Sequence, residues 1–470
     1  MCMNKKAEKS KKKGKSTKEQ QKAILTAVVT AFITTFMGSA LNLSIPSIGA
    51  EFGSGAQKVG WIITVYMLTC TALAVPFGKL ADRINRRLIL FVGIIMFTAA
   101  SAAAAFSQTM RMLLVFRFAQ GVGASMIFAT NIAILAASFD EEQRGRVLGY
   151  STAATYMGLS LGPVLGGILN EHLGWRAVFA AAAVVSAAAL ISAGAQLGKK
   201  AADGQGRAQG FDWKGTLAFA AAISSVMYSL SSLRSVSFAP YLLAGGVLLF
   251  LVFVMTEKRS EDPIIDVQLF CENLPYAMSN LAALLNYGAI FAVSYLMSVY
   301  LQTVRGFSAQ TGGFVLMAST VVIAALSPVF GRISDKHSPH NMSAVGAGIC
   351  AAAIGALVFL SEETHIGIVA AILAASGLGF SLFATPNTNA VMGSVRKEQY
   401  SSASSVLAAM RSAGHTTSMA IITLIMGIFM EDKPLAEAQA ETIILIMRIS
   451  FAVFAFFCIL GIFMARYRKM

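Results

Sequence analysis

YSTAATYMGLSLGPVLGG, residues 150–167, decides how this chain is read. The stretch sits inside an apolar segment long enough to cross a bilayer. Ala154, Gly158, Gly162 and Gly166 recur every four residues, so they share one helix face on which a neighbouring helix can approach almost to backbone contact. Pro163 removes a backbone donor and bends the helix there. GxxxG alone marks ordinary membrane-helix packing. The longer run G-x-x-x-G-P-x-x-G-G, closed by Gly167, is more specific, and its weight depends on the rest of the chain.

Working outward, 56% of the 470 residues are hydrophobic and only 13% are charged. A soluble protein carries roughly a quarter charged residues. The mean hydropathy of +0.67 agrees with an all-α polytopic membrane protein. The five cysteines lack metal or redox spacing, and no cofactor or metal is called for. The net charge of +14 does not indicate nucleic acid, because nine lysines lie in residues 1–22. That basic tail lacks hydrophobic periodicity, reads as unstructured, and suits anionic lipid headgroups.

Fourteen segments reach the roughly 20 apolar residues that a span requires. They lie near 23–49, 58–77, 88–107, 112–137, 147–170, 175–195, 215–233, 239–256, 275–302, 311–330, 342–360, 366–387, 402–429 and 443–465. An even count puts both termini on one side. Twenty-eight Lys and Arg fall on that side, against six in the opposite loops (Lys58, Arg111, Arg176, Arg234, Arg305 and Lys433), so both ends are expected in the cytoplasm.

The chain also echoes itself. Gly78-Lys79-Leu80-Ala81-Asp82-Arg83 follows segment 2, and Gly331-Arg332-Ile333-Ser334-Asp335-Lys336 follows segment 10. Each turn opens with Gly and carries Asp followed by a cation. The echo marks two six-helix bundles, residues 23–195 and 273–470. Between them, 196–272 holds a polar linker and the inserted segments 7 and 8.

GKLADRINRR at 78–87 resembles the signature loop of the major facilitator superfamily. Arg117 and Gln120-Gly121 in segment 4 resemble that family's R-x-x-Q-G motif, and the 150–167 run resembles its antiporter motif. The six-two-six layout resembles its fourteen-helix drug:proton antiporter subfamily, the multidrug efflux type. The resemblance implies alternating access between two bundles. Asp82, Arg83, Arg86 and Arg87 would latch the bundles, with Gly78, Gly331 and Asp335 in matching roles and Gly158, Gly162, Pro163, Gly166 and Gly167 in gating. Asn85 stands where the family usually has glycine and is expected to tolerate a left-handed turn. Arg117 would take part in proton coupling. Segments 1, 4, 9 and 12 would line the cavity. Tyr66 is either a cavity aromatic or an interfacial packing residue. Pro46, Pro328 and Pro386 either bend cavity-lining helices or are routine kinks.

The sequence departs from that pattern in the first helix as well. The subfamily's aspartate in the first helix maps to Met37, and Asn42 is the nearest polar residue. Every other Asp and Glu maps to a loop, a terminus or a helix end. What the apolar core offers is positive or neutral. Besides Arg117 it holds Arg411 and, one turn further on the same face, His415, with Asn286, Tyr287, Asn387 and Asn389 as further candidates. Arg117, Arg411 and His415 are therefore expected to share a positive or switchable cavity, the histidine having a reference pKa near neutrality.

Two transport functions follow. One is export of small amphipathic compounds or drugs driven by proton inflow; the other is export of anionic metabolites, lipids or acidic drugs drawn by buried arginines. A non-transporting sensor would need a signalling domain, and a membrane enzyme a nucleophile–base pair; neither is visible. The expected partners are a small-molecule substrate, protons and membrane lipids, with the chain a monomer in the plasma membrane.

Overall fold

The computed structural model describes residues 2–53, 56–197, 213–232, 238–258, 267–307, 309–430 and 439–466. Among them the chain is helical throughout: α1 Cys2–Ser39, α2 Ile45–Phe52, α3 Ala56–Arg83, α4 Arg86–Ala105, α5 Met110–Ser138, α6 Glu141–Leu173 and α7 Arg176–Leu197. There follow α8 Trp213–Ser232, α9 Ala239–Glu257, the short α10 Val267–Glu272 and α11 Leu274–Val299. The last five are α12 Ala309–Ser334, α13 Pro339–Leu357, α14 Ile366–Gly393, α15 Tyr400–Met430 and α16 Ala440–Arg466. Thirteen of the described helices are long and apolar enough to cross a membrane, and a shorter apolar stretch, Gly215–Ser229, stands in the place of segment 7.

Two expectations for the first seventy residues need correction. The basic tail is helical from Cys2 and runs straight into the first span. Lys, Glu, Gln and Ala are all good helix formers, so polarity alone does not break a helix. Segment 1 is also not one helix. It tightens to a 3₁₀ turn over Ala40–Ser44 and restarts as α2, with Pro46 in its first turn. Asn42 lies in that turn, and its side chain is outside the described residues.

The glycine face of α6 has two uses. A Cβ on Gly158, Gly162 or Gly166 would run into α1 or the turn after it, at Phe32, Ser39 and Ala40. This packing lies inside the first bundle. Two and a half turns earlier on α6 the same device crosses between bundles, because Gly145 and Gly149 lie directly against Gly331 and Ser327 of α12. Pro163 and Gly167 are half-buried within α6.

Helices α3 and α15, and likewise α6 and α12, join the two bundles. Most of their polar contacts gather at one end, the Ser160–Thr320 hydroxyl pair of α6 and α12 (2.6 Å) lying farther along. The Asp82 carboxylate accepts from the amides of Ser401 (3.0 Å) and Ser402 (2.7 Å) and from the Ser402 hydroxyl (2.8 Å). These are free donors in the first turn of α15, where helix polarity favours an anion. Asp335 repeats the arrangement from the second bundle, accepting from the amides of Gly145 (2.5 Å) and Arg146 (3.1 Å). Gly78 lets α3 close against Ser401 and Ser405.

Among the described residues two buried cations cross at this end: Arg144 donates to the Tyr400 hydroxyl at 2.9 Å, and Arg86, 5% exposed, crosses from α4. It pairs with Asp82 at 2.9 Å and donates to the Ser401 hydroxyl and the Lys397 carbonyl. Arg83 and Arg87 are half-buried beside it. Asn85 is extended (φ −172°) and caps α4, accepting from the amides of Arg87 and Leu88. The left-handed turn is not formed, because a side-chain cap satisfies the helix start instead.

Candidate functional site

The middle of the molecule holds a small polar cavity of about 30 Å³ between the bundles. Its walls are Ala31 of α1; Phe128, Asn131 and Ile132 of α5; Leu148, Ser151, Thr152 and Thr155 of α6; Thr388 of α14; and Ala408 and Arg411 of α15. The hydroxyls of Thr152, Thr155 and Thr388 are turned back on carbonyls one turn earlier in their own helices. Two polar groups are not satisfied. Asn131 donates to the Ala27 carbonyl at 2.9 Å, but its Oδ1 has no partner. The Nε of Arg411 has none either. Among the described residues no carboxylate lines the cavity. A volume near one water molecule means that a substrate can enter only when the bundles part.

Arg411 reaches this cavity over an aromatic platform. Its guanidinium lies 5.1 Å from the centroid of the Tyr287 ring, within cation–π range. Tyr287 meets Phe380 edge-on at 5.0 Å, and Phe380 meets Tyr156 of the other bundle at 5.2 Å. His415 stacks on Phe291 at 4.9 Å and lies 6.3 Å from Tyr287. Arg411, Tyr287 and His415 thus form one cluster.

Arg117 does not join them. It lies fourteen residues before Asn131 on α5, about 21 Å at 1.5 Å per residue. It is fully buried in the first bundle and donates to the carbonyls of Ile62 (2.8 Å) and Met37 (3.5 Å) and to Gln120 Oε1 (2.5 Å). Gln120 passes the chain on to the Ser101 hydroxyl at 2.7 Å. The guanidinium lies 4.2 Å from the centroid of the Tyr66 ring, and the Tyr66 hydroxyl donates to the Thr34 carbonyl. Tyr66, Arg117 and Gln120 therefore knit α1, α3, α4 and α5 together. Met37 supplies a backbone oxygen where the subfamily pattern has a carboxylate.

The other asparagines lie away from this cavity, and the Oδ1 of Asn286 has no partner among the described residues. Asn286 donates to the Ala282 carbonyl and faces Gly461 of α16. Asn387 ties α14 to α11 through the Ser279 carbonyl at 3.1 Å, and Asn389 reaches Ser334 of α12. Asn131 is the cavity residue that the sequence reading passed over. Its signal was present, as an amide buried in an otherwise apolar stretch of α5.

A half-buried arginine and a buried amide at a closed cavity between two bundles is the arrangement of a carrier, and similarity to known proteins agrees. A sequence profile of the Major Facilitator Superfamily matches residues 27–419 and 280–469. The chain belongs to the Major Facilitator Superfamily. It is a multi-pass membrane transporter, and relatives named for multidrug resistance match most of its length. The riboflavin transporter RibZ of Clostridioides difficile is 27% identical over 374 residues, covering 80% of this chain and 81% of that one. The multidrug resistance protein Stp of Mycobacterium tuberculosis is 27% identical over 392 residues, covering 81% and 71%. Among solved structures, the human organic anion transporter MFSD10 superposes with a TM-score of 0.67 over 93% of this chain and 99% of that one; at 12% identity it speaks for the fold alone.

Proposed function

We propose that this superfamily member exports small aromatic compounds that are neutral or anionic, from the cytoplasm outward, by alternating access. The observation that carries the reading is the unpaired Arg411 Nε in a carboxylate-free central cavity. A substrate oxygen or carboxylate placed there would satisfy Arg411 and, through a donor, Asn131 Oδ1. The Tyr287, Phe380 and Tyr156 rings would stack on its flat body. A cation would meet like charge at close range.

The relatives support export of drug-like molecules, and the riboflavin transporter makes a planar ring system a natural first compound. Proton inflow is the driving force we assign by family, with His415, which shares the Arg411 and Tyr287 cluster, as the candidate proton carrier. Both termini, and the end that carries the Asp82 and Asp335 latches, are assigned to the cytoplasm of the cell's plasma membrane. The chain acts as a monomer.

The test is efflux from a pump-deficient bacterial host. A matched panel of anionic, neutral and cationic fluorescent compounds, with riboflavin among them, is followed with and without a proton uncoupler. Uncoupler-sensitive loss of anions and neutral rings, with cations retained, supports the reading. Preferential extrusion of cations would replace it with the cationic multidrug function.

A further inference from the structure

A second cavity among the described residues is far larger than the one at Arg411. It is an apolar pocket of about 260 Å³ on the flank of the molecule, and its walls come from three bodies. The first bundle contributes Thr71 and Val75 of α3. The second contributes residues of α15, among them Ala409, Met410 and Ala413. The inserted pair supplies Phe219, Met227, Phe253 and Val254 from α8 and α9, and Phe270 of α10 closes it. Helix α8 packs on both α3 and α15, and the Trp61 and Tyr228 rings stack at 5.4 Å to hold it against α3.

The lining specifies its ligand mostly by what it omits. No charged side chain faces the pocket. Of its three threonines, Thr71 and Thr416 spend their hydroxyls on the Met67 and Ser412 carbonyls of their own helices. A ligand with a polar centre would find little to bond.

The depth is equally informative. Val75 lies eight residues before the end of α3, about 12 Å. Phe253 and Val254 lie within a turn of the end of α9, and Phe219 within two turns of the start of α8. Asn273 and Ser394 bond where α11 begins and α14 ends, at the same face as Arg86 and Lys397. The pocket therefore sits at the depth of the acyl chains of the leaflet on the latch side. A dry cavity of about 150 Å³ lined by apolar side chains takes up benzene. By that measure this pocket holds about ten carbon atoms, a half-length of lipid chain.

We infer that this pocket is a binding site for one acyl chain of a phospholipid from the latch-side leaflet, seated between the inserted helices and the α3–α15 seam. The chain would not be cargo. Both bundles supply walls, so a seated chain fills the seam when α3 and α15 are together and loses its walls when they part. The inserted pair then has a role of its own, as the clamp that turns a moving seam into a lipid site.

The test uses full-length protein in proteoliposomes doped with a phosphatidylcholine bearing a diazirine midway along one chain. After irradiation, labelled residues are mapped by peptide mass spectrometry. The expected result is label concentrated on Met227, Val254 and Met410, several-fold above that at Leu251, which is 55% exposed on the outer face of α9. Ala413→Phe, which fills the pocket from α15, brings that label down to the Leu251 level. Ala409→Phe is the second filling variant, so that loss of fold in one leaves the other. Label spread evenly over the pocket and the Leu251 face in the wild type, or unchanged in whichever filled variant folds, overturns the proposal. So does displacement of the label by a transported compound at saturating concentration, which would make the pocket part of the substrate path.

Discussion

Arg117 and Arg411 are both arginines within membrane-spanning helices, and the structure treats them in opposite ways. Arg117 is enclosed by partners: two backbone carbonyls, a glutamine and a tyrosine face. Arg411 has an aromatic face on one side and an unpaired Nε at a cavity wall. Burying an arginine costs about 2.5–3.5 kcal/mol on insertion scales. In Arg117 that cost is offset within the fold. In Arg411 part of it stands open until something enters. A charged residue in an apolar helix is thus not by itself a site; the unfilled hydrogen bond marks one.

The two latches repeat the contrast at the polar end of the molecule. Asp82 holds an ion pair, two amides and a hydroxyl. Asp335 holds two amides. Burial pushes its carboxyl above the ordinary carboxylate value, with those amides and the nearby Arg144 charge pulling it back. One latch is saturated and the other is poised.

Arg117→Ala should have the largest effect. It strands Gln120 and the Ile62 and Met37 carbonyls in the first bundle, a loss of about 3–5 kcal/mol, read as a fall in the thermal midpoint of detergent-solubilised protein. If stability held while transport failed, Arg117 would belong with Arg411 as a site residue. Arg411→Gln should do the reverse. Transport of an anionic substrate falls by about 10–100-fold, the worth of one charged hydrogen bond, and the thermal midpoint moves little because only the contact with the Tyr287 ring is lost.

The poised latch gives a smaller, pH-dependent effect. A carboxyl whose pKa is raised in the closed arrangement binds its proton more readily there than when the bundles part. Acidification toward and through the raised value therefore favours closure, and rising pH weakens it. A distance measured between spin labels at the exposed positions Gln143 and Lys336, which flank the Gly145–Asp335 contact, should shift toward the closed population in mild acid. Asp335→Asn should flatten that response. An Asp82→Asn control that flattened it equally would erase the difference between the latches.

Least of all, Glu51→Gln should cost about 0.5 kcal/mol or less. Arg176 and Trp175 hydrogen bonds hold the Glu51 carboxyl below its ordinary value. Its contribution is present above that ordinary value and disappears as pH falls through the lowered one. Thermal midpoints compared at neutral and acid pH read it directly.

Much of the fold was legible because the bilayer enforces it. Long apolar runs, charge bias and the repeated Gly78 and Gly331 turns gave the spans and the two-bundle plan without any contact information. What escaped was decided by packing. The break at Ala40–Ser44 has no glycine or proline inside it, only Pro46 just after, so the run read as continuous. Gly145 and Gly149 carry the same four-residue spacing as Gly158, Gly162 and Gly166, yet only coordinates separate the face that crosses between bundles from the face that stays within one. For the candidate site, helical spacing puts Arg411 and His415 on one face, while the approach of Tyr287 to both is a matter of packing. The separation of Arg117 from them, and the role of Asn131, depend on which carbonyls lie opposite, and no residue pattern encodes that.

The central claim is that Arg411 makes the cavity select against positive charge. The most direct measurement is transport in proteoliposomes of two isosteric aromatic probes, one carboxylate and one ammonium, by wild type and Arg411→Gln. The account predicts that wild type prefers the carboxylate and that the variant loses this preference through a fall in carboxylate transport. A wild type that favours the ammonium probe, or a carboxylate preference untouched by the substitution, would contradict it.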